Sequence, residues 1–457
     1  MTVAKDVRGL EATGISRSQM EAFDQLLEDL YLYRPGVQSR LEALLEEAPE
    51  FILGHILRGY SLMTDGLKSG LVDARRFLNR ANELSRQANQ RELLHMQVLQ
   101  AWVDGRSKDR AQLLEEILLR WPLDLLAYRQ HTGQLFWTGD KRRQLAAATQ
   151  ALPHWSPKTP GYNLMLGPLA FALEEAGQYE LATHYARQAL AVQPIDLWAL
   201  HAMAHVHEMQ GRPREGDRMI SEVAGQLKDF NLFRGHLWWH LALFRFSQRR
   251  YDEVLTLWDE QILPGASSFY LDIQNAASLL ARLEIQGIQV GDRWERVADS
   301  AEQTLGQHLI AFTAPHQAMA LARSGRGQAL AMSLVAMGAD AKREDPQSRL
   351  ALAVAEAISL YYKGAHLQFL GLMRRLRYDV KQLGASHAQQ DVFHHLMVDA
   401  ALQLQDLPLA KSLLKERLAQ QLHNATDWDR YATLAVHIER ISDVDVLRRL
   451  LHSGLAA

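Results

Sequence analysis

The stretch Leu166-Gly-Pro-Leu-Ala-Phe-Ala-Leu-Glu-Glu-Ala-Gly-Gln-Tyr-Glu-Leu-Ala182 decides the fold of this chain. Apolar side chains recur at helical spacing on both sides of Gly177, which indicates two amphipathic helices. Gly177 suits the tight turn between them, because glycine adopts a left-handed backbone conformation without steric cost. Pro194 marks the end of the second helix, since proline lacks the amide hydrogen that a helix requires. The stretch therefore predicts a helix–turn–helix unit.

The same unit recurs along the chain. Its turn glycines are separated by 34, 38 and 34 residues, and the four extra residues fall in the proline-rich segment 153–160. A period of 34 is that of the tetratricopeptide repeat. Small residues at Ala170, Ala182 and Ala189 would let the paired helices approach closely. The turn glycines are Gly105, Gly139, Gly177 and Gly211, and looser copies of the turn follow at 249–254, 324–330, 360–365 and 405–410.

These repeats predict an all-α, tetratricopeptide-like α-solenoid, a right-handed superhelix of helix–turn–helix units. We expect an N-terminal helical cap over residues 1–50, a repeat array over 51–425 and a C-terminal helical cap over 426–457. Ser16 is the predicted N-cap of the first helix, and Gln19 would complete its capping box. The segments 153–160 and 264–268 are the candidate weak points of an otherwise continuous array.

Composition excludes several classes of protein. The 457 residues carry a net charge of −3, which argues against nucleic-acid binding, because such proteins usually show a basic surface. The chain has no cysteine, so a disulfide framework and a thiolate metal site are both excluded, and a cytoplasmic location is expected. We expect no secretory leader at the N-terminus and no membrane segment, since no run of about 20 apolar residues occurs.

Several segments also resemble one family in particular, the tetratricopeptide repeat protein 38 family. The resemblance covers nearly the whole chain and implies an all-helical solenoid, but it implies no mechanism. The main segments that carry it are Trp198-Ala-Leu-His-Ala-Met-Ala-His-Val-His-Glu-Met209, His236-Leu-Trp-Trp-His-Leu-Ala-Leu243, Trp258-Asp-Glu-Gln-Ile-Leu-Pro264 and Gln286-Gly-Ile-Gln-Val-Gly-Asp-Arg-Trp294.

Histidines fall at particular positions of the repeat. With the turn glycine taken as position 15, His201 lies at position 5, His205 at position 9 and Glu208 at position 12. These three share one helical face, which in tetratricopeptide arrays lines the concave groove, whereas His207 points away toward the packed side. His236 and His240 are likewise four residues apart, on the first helix of the next unit. The sequence therefore predicts a groove lined with imidazoles.

Two histidines four residues apart on a helix can bind one metal ion through their ring nitrogens. His201, His205 and His236 are the predicted ligands of a divalent metal, zinc or another first-row ion. Glu208 and His240 are the predicted catalytic acid–base residues, and they could act without a metal. The alternative is that these imidazoles only form hydrogen bonds within a polar groove.

Other candidate ligand-binding residues lie along the same groove. They are His55, His95, Trp239 and His316. Four further polar residues, Asp272, Asn275, Gln389 and Asp391, could bind a ligand, but structural capping explains them as well. Ser386 is best explained as an N-cap.

Two functions fit these observations. The first is binding of a small molecule or peptide in the histidine-rich groove, with metal-dependent catalysis left open. The alternative is a scaffold that receives a partner's peptide or helix in that groove. A homo-oligomer is a third and weaker alternative, because no exposed apolar stripe can be assigned.

Overall fold

A computed structural model describes residues 2–231, 233–341 and 345–420, together with Asn424, Arg430, Tyr431 and Leu434. The fold is all-α and tetratricopeptide-like, as predicted: the described residues form 22 α-helices and one short β-hairpin. The first eleven helices are α1 Arg17–Tyr31, α2 Val37–Glu47, α3 Ile52–Thr64, α4 Gly70–Glu83, α5 Gln90–Val103, α6 Ser107–Arg120, α7 Leu125–Trp137, α8 Lys141–Ala151, α9 Tyr162–Glu175, α10 Tyr179–Val192 and α11 Leu197–Met209. The remaining helices are α12 Pro213–Val223, α13 Arg234–Ser247, α14 Tyr251–Leu257, α15 Tyr270–Ile285, α16 Arg293–Gln303, α17 Thr313–Arg323, α18 Gly327–Ala341, α19 Pro346–Tyr362, α20 His366–Leu376, α21 His387–Gln403 and α22 Leu407–Gln420.

The N-terminal segment contains a hairpin that the sequence did not predict. Strands β1 (Val3–Lys5) and β2 (Glu11–Thr13) pair antiparallel. The hairpin is held to α1 by Asp24, whose carboxylate accepts a hydrogen bond of 3.0 Å from the amide of Val7. Strands of three residues are too short to show an alternating pattern in the sequence, so the N-terminal cap was predicted as helical only.

The start of the first helix agrees with the capping residues predicted from the sequence. Ser16 caps α1, and Gln19 completes the capping box, as predicted. The second helix spans Val37–Glu47. The C-terminal cap predicted over 426–457 lies almost entirely outside the described residues.

The turns between paired helices follow the glycine pattern. Gly105, Gly139, Gly177 and Gly211 all have positive φ angles, of 72°, 68°, 76° and 64°. Arg249 occupies the equivalent turn between α13 and α14 with a φ of 60°, although it is not a glycine. The turn geometry is therefore kept where the glycine signal is lost, because the surrounding helix pair holds the backbone in place.

Within each repeat the two helices pack directly on each other. The pairs α3–α4, α5–α6, α7–α8 and α9–α10 are in contact, and first helices also contact the first helix of the next repeat, as α3 contacts α5 and α7 contacts α9. Ala170, Ala182 and Ala189 are fully buried, which confirms that small side chains allow the close approach.

The chain divides into two compact units. The first comprises Met1–Met203, Glu222–Leu237 and Gln307–Ala311, and the second comprises Ala204–Ser221, Trp238–Gly306 and Phe312–Ala457. In the first unit, the amide of Lys68 donates a hydrogen bond of 2.7 Å to the carbonyl of Gln307, which anchors the distant segment on the loop after α3.

The second unit departs from a simple linear array. Helix α15 packs against α17, as neighbouring first helices do, but it also packs directly against α21. Since each repeat of a linear solenoid contacts only its neighbours, this contact was not predictable from the repeat period. None of the helices within the described residues combines the length and apolar character needed to cross a bilayer.

Two helical glycines give a test of this packing. A Cβ atom on Gly216 of α12 would lie 2.3 Å from the ring of Phe244, whereas one on Gly338 of α18 would meet no atom within 4 Å. We expect Gly216→Ala to lower the free energy of unfolding by about 1–3 kcal/mol through overpacking. Gly338→Ala should raise it by about 0.5–1 kcal/mol, because alanine favours the helix. Urea denaturation of both variants checks this, and a stabilised Gly216→Ala protein would contradict it.

Candidate functional site

Helices α11 and α13 carry the predicted metal ligands. Helix α11 begins after Asp196, whose Oδ1 accepts hydrogen bonds of 2.9 and 3.0 Å from the amides of Trp198 and Ala199. Such capping fixes where a helix starts and so fixes which residues share a face.

Four histidines on these two helices form two facing pairs. The ring centroids of His201 and His236 are 4.9 Å apart, and those of His205 and His240 are 4.6 Å apart. All four residues are at most 3% exposed. Their ligand nitrogens all lie within 4.8 Å of one another. The structure therefore contains a buried four-histidine cluster that could hold a metal ion.

The spacing of this cluster can be compared with a real coordination sphere. Zinc–imidazole bonds are about 2.0–2.1 Å long, so the nitrogens around a tetrahedral ion are separated by about 3.3–3.4 Å. The limit of 4.8 Å in the structure exceeds that separation by about 1.4 Å. The four rings would therefore have to rotate toward one another to bind one ion at these bond lengths.

Glu208 lies beside the cluster. Its Oε2 atom is 3.4 Å from Nδ1 of His240. In metal sites, a carboxylate beside a ligating histidine commonly accepts a hydrogen bond from one ring nitrogen, which leaves the other nitrogen for the metal. Burial lowers the pKa of His240 to about 3, so this ring is neutral near pH 7. The predicted pair of Glu208 and His240 is thus adjacent in the structure, and its catalytic role stays a prediction.

Trp239 is fully buried next to this site. Its indole packs edge-on against the ring of His240, with centroids 5.0 Å apart, and the guanidinium of Arg282 lies 5.7 Å from its ring centre. Trp238, its neighbour in sequence, is only partly buried. The contacts of Trp239 are those of a packed core side chain, and its role as a ligand-binding residue stays a prediction.

The other predicted ligand-binding histidines do not join the four-histidine cluster. His55 bonds through Nε2 to the carbonyl of Pro49 at 3.0 Å, and His316 bonds through Nδ1 to the carbonyl of Phe312 at 2.9 Å. Burial lowers the pKa of both, to about 4 for His316. Each neutral ring donates to a main-chain oxygen, which is a structural bond. All of these imidazoles are buried. That they line an open concave groove therefore stays a prediction.

His95 belongs to a buried polar network in the first unit. Its Nε2 lies 3.0 Å from Oδ2 of Asp124, and its Nδ1 lies 3.1 Å from the hydroxyl of Tyr60. Arg91 donates a hydrogen bond of 2.9 Å to the same carboxylate oxygen. Both ring nitrogens of His95 are therefore held by protein groups. Asp124 also caps α7, and the sequence gives no signal that pairs it with His95 or Arg91.

Several polar residues of the second unit that the sequence singled out have structural bonds, but only Ser386 and Gln389 form a helix cap. Ser386 caps α21 in a capping box with Gln389, as predicted. Asp272 accepts a hydrogen bond of 2.7 Å from the hydroxyl of Ser267. Asp391 is not a cap: its carboxylate pairs with Arg417 and lies 3.1 Å from Nε2 of His395. Sequence reasoning identified Asp391 but missed Arg417, which lies on the next helix.

His131 is buried without a hydrogen-bond partner for either ring nitrogen among the described residues. Burial, with the charges of Arg143 and Arg110, lowers its pKa to about 4. The folded chain thus binds fewer protons at His131 than the unfolded chain does between about pH 6.5 and pH 4. The contribution of the neutral His131 ring to the free energy of unfolding is fully present above pH 6.5. It is lost as the pH falls from about 6.5 to about 4.

As the pH falls from 7 to 4, protonation of the buried His131 ring should lower the free energy of unfolding of the wild-type protein by up to about 3 kcal/mol. The His131→Leu variant should lack this part of the loss. Urea denaturation across the pH range measures the difference, and replacement of the exposed His154 by leucine is the matched control. Equal pH dependence of wild type and His131→Leu would contradict the prediction.

No family model matches this chain. The structure is similar to that of the human IFIT1 dimer with m7Gppp-AAAA, at 11% sequence identity and a TM-score of 0.40, over 97% of this chain and 96% of that one. It is also similar to the structure of Naa15/Naa10 bound to HypK-THB, at 12% identity and a TM-score of 0.25, over 92% of this chain and 66% of that one. At these values neither likeness bears on the function of this chain, and the resemblance to the tetratricopeptide repeat protein 38 family stays an expectation.

Proposed function

We propose that this protein binds one divalent first-row metal ion through His201, His205, His236 and His240, and that the ion fastens α11 to α13. The observation that supports this is the closeness of the four ligand nitrogens, all within 4.8 Å of one another in a buried setting. His240, predicted from sequence as a catalytic residue, becomes the fourth ligand in this proposal, and Glu208 becomes the carboxylate that orients it.

The donor set indicates which ions fit. Imidazole nitrogen suits zinc, nickel, copper and cobalt, whereas magnesium and calcium prefer oxygen ligands. The chain contains no cysteine, so no thiolate competes for the ion. Tetrahedral coordination by four protein ligands is typical of zinc in structural sites. Zinc is therefore the first candidate.

A structural role fits this ligand set better than catalysis does. Catalytic zinc sites usually have three protein ligands and keep a fourth position open for water. Four histidines leave no such position on a tetrahedral ion. A metal-dependent enzyme acting on a small molecule or peptide would need a five- or six-coordinate ion, with Glu208 acting as the base toward a bound water.

Elemental analysis tests the proposal directly. Purified protein would be loaded separately with zinc, nickel and cobalt, freed of loose ions by gel filtration, and analysed for bound metal. We expect about one ion per chain, and a cobalt-loaded sample should show the intense visible absorption of tetrahedral cobalt. Protein that retains none of these metals would refute the proposal. Weak absorption typical of six-coordinate cobalt would favour the catalytic alternative.

The scaffold function remains the second candidate, and the array of paired helices is the observation that favours it. If the protein is a scaffold alone, chelators should change neither its metal content nor its thermal stability. The sequence-based exclusion of nucleic acid also stays a prediction, since it rests only on the net charge of −3.

A further inference from the structure

The first unit contains a cavity of about 210 Å³ beside the N-terminal hairpin. Its walls come from the loop between β1 and β2, from α1, and from the first residues of α7 and α9. Pockets that bind drug-sized ligands usually have volumes of about 300–1,000 Å³, so this hairpin cavity suits a smaller molecule.

The charged groups around the hairpin cavity are mostly negative. Glu21, Asp24 and Glu28 line it, and Arg8 is the only cation among the described residues that do so. Asp6, which pairs with Arg8, adds a fourth carboxylate. Burial, with the negative charge of Asp6, raises the pKa of Asp24 to about 6. The negative charge of these groups is therefore not fully compensated by Arg8, and a positively charged ligand would be stabilised here.

Arg8 provides a second and independent feature of the hairpin cavity. Its side chain is only 6% exposed, and its Nη2 donates hydrogen bonds of 3.0 Å to Asp6 and 3.4 Å to Asp24. Its Nε is buried and has no hydrogen-bond partner among the described residues. A buried donor without an acceptor is unfavourable, and Arg8 lines the cavity. A ligand oxygen would supply the missing acceptor.

The rest of the wall is largely apolar. Leu27, Leu125 and Leu164 line the hairpin cavity and are almost fully buried. Gly161 lies between them and Arg8: a Cβ atom there would be 3.4 Å from the side chain of Leu125 and 3.7 Å from Nη1 of Arg8. The absence of a side chain at Gly161 leaves this space open. A short branched hydrocarbon would fit against the three leucines.

We propose that the hairpin cavity binds a small primary amine that carries a hydroxyl or carbonyl oxygen on the neighbouring carbon. Its ammonium group would pair with Asp24 and Glu28, and its oxygen would accept the Nε hydrogen of Arg8. The two polar groups of the ligand must be close together, because Asp24 is bonded to the same guanidinium that needs the acceptor. A lysine side chain does not match, since four methylene groups separate its ammonium from the main chain. The site does not depend on the proposed metal.

Calorimetric titration of the full chain with leucinol tests the proposal, because leucinol has an ammonium group, a neighbouring hydroxyl and a branched hydrocarbon. We expect one site per chain. The same molecule without its amino group should bind at least about tenfold more weakly, since the charge-assisted bonds are lost. The molecule without its hydroxyl should bind about two- to tenfold more weakly. Leucinol that binds no more tightly than its analogue without the amino group would overturn the inference.

Charge variants locate the site. Asp24→Asn should weaken leucinol binding about ten- to a hundredfold. Asp24 also holds the hairpin, so Glu28→Gln is the second variant: it is exposed, and it should weaken binding about two- to fivefold. Glu28 is preferred to Glu21, which lies 3.5 Å from Arg17. Glu46→Gln on α2 is the matched control, since this exposed glutamate lies outside the cavity lining and should leave the affinity unchanged.

A steric variant tests the same site without removing a charge. Gln25 is exposed on α1 and lines the hairpin cavity, so Gln25→Trp should fill part of it and weaken leucinol binding more than tenfold. Ala22→Trp places the same side chain at an exposed position of α1 outside the lining and should leave binding unchanged. Unchanged affinity in folded Glu28→Gln and Gln25→Trp proteins would show that leucinol binds elsewhere and would overturn the inference.

Discussion

Replacing His205 with alanine is expected to reduce the bound metal from about one ion per chain to less than about a tenth of that. The reason is that a four-ligand site loses both a bond and the enclosure that excludes water. The measurement is elemental analysis after loading with zinc and gel filtration. The same loss is expected for alanine at His201, His236 or His240, because all four ligand nitrogens lie within one small cluster.

His207→Ala is the matched control, since this histidine lies on the same helix but outside the four-histidine cluster. It should retain the full metal content. The ion should also stabilise the fold: at a free metal concentration of about a thousand times Kd, binding adds about 4 kcal/mol to the free energy of unfolding. A chelator should therefore lower the unfolding midpoint of wild type but not that of His205→Ala. Equal metal content in His205→Ala and His207→Ala would show that the cluster is not the binding site.

Asp124→Asn should lower the free energy of unfolding by about 3–5 kcal/mol, the second large effect that we expect. The substitution removes one partner of a buried ion pair, in which the side chains of Arg91 and Asp124 are only 5% and 1% exposed. It leaves the Arg91 guanidinium buried without a counter-charge, and it changes the hydrogen bond to His95. Urea denaturation at pH 7 measures the loss.

A closely matched control exists on the second helix of the same repeat. Asp140 caps α8 through the same kind of bond that Asp124 makes at α7, a carboxylate oxygen accepting from the amide three residues on, but Asp140 holds no buried cation. Asparagine is an equally good N-cap, so Asp140→Asn should cost less than about 0.5 kcal/mol. Comparable losses from the two substitutions would show that the buried network contributes nothing beyond capping.

The effect of Asp124 also has a defined pH dependence. Burial alone would raise the pKa of Asp124, but His95 and Arg91 hold it well below the usual range. A carboxyl whose pKa is depressed in the folded state stabilises the fold above the unfolded pKa of about 3.9, and this contribution is lost as the pH falls below it. The difference between wild type and Asp124→Asn should therefore be constant near neutral pH and shrink below about pH 4.

The pairing of the histidines could be predicted because it follows from the length of the repeat. His201 and His236 are 35 residues apart, as are His205 and His240, which is about one repeat length. Equivalent positions on successive first helices come side by side in a repeat array, so the two pairs were foreseeable once the turn glycines had set the register. The capping box of Ser16 was predictable for the same reason, since all of its atoms lie within four residues.

Burial of these side chains could not be predicted in the same way. His95 occupies the same repeat position as His201, yet it forms bonds with Tyr60 and Asp124 instead of facing another histidine. Which group meets a given ring depends on side chains of other helices, 29 and 35 residues away in these bonds. Repeat position fixes the direction of a side chain but not the partner that it finds there.

The contact between α15 and α21 determines how this chain can be shortened. In a linear array, removing the last repeat exposes one interface and leaves the remaining repeats folded. Here a truncation before α21 would also uncover the face of α15 that carries Arg282, which lies far upstream in sequence. The helices from α15 to α21 should therefore unfold as one cooperative block, and stepwise deletions from the C-terminal side should show an abrupt loss of structure instead of a gradual one.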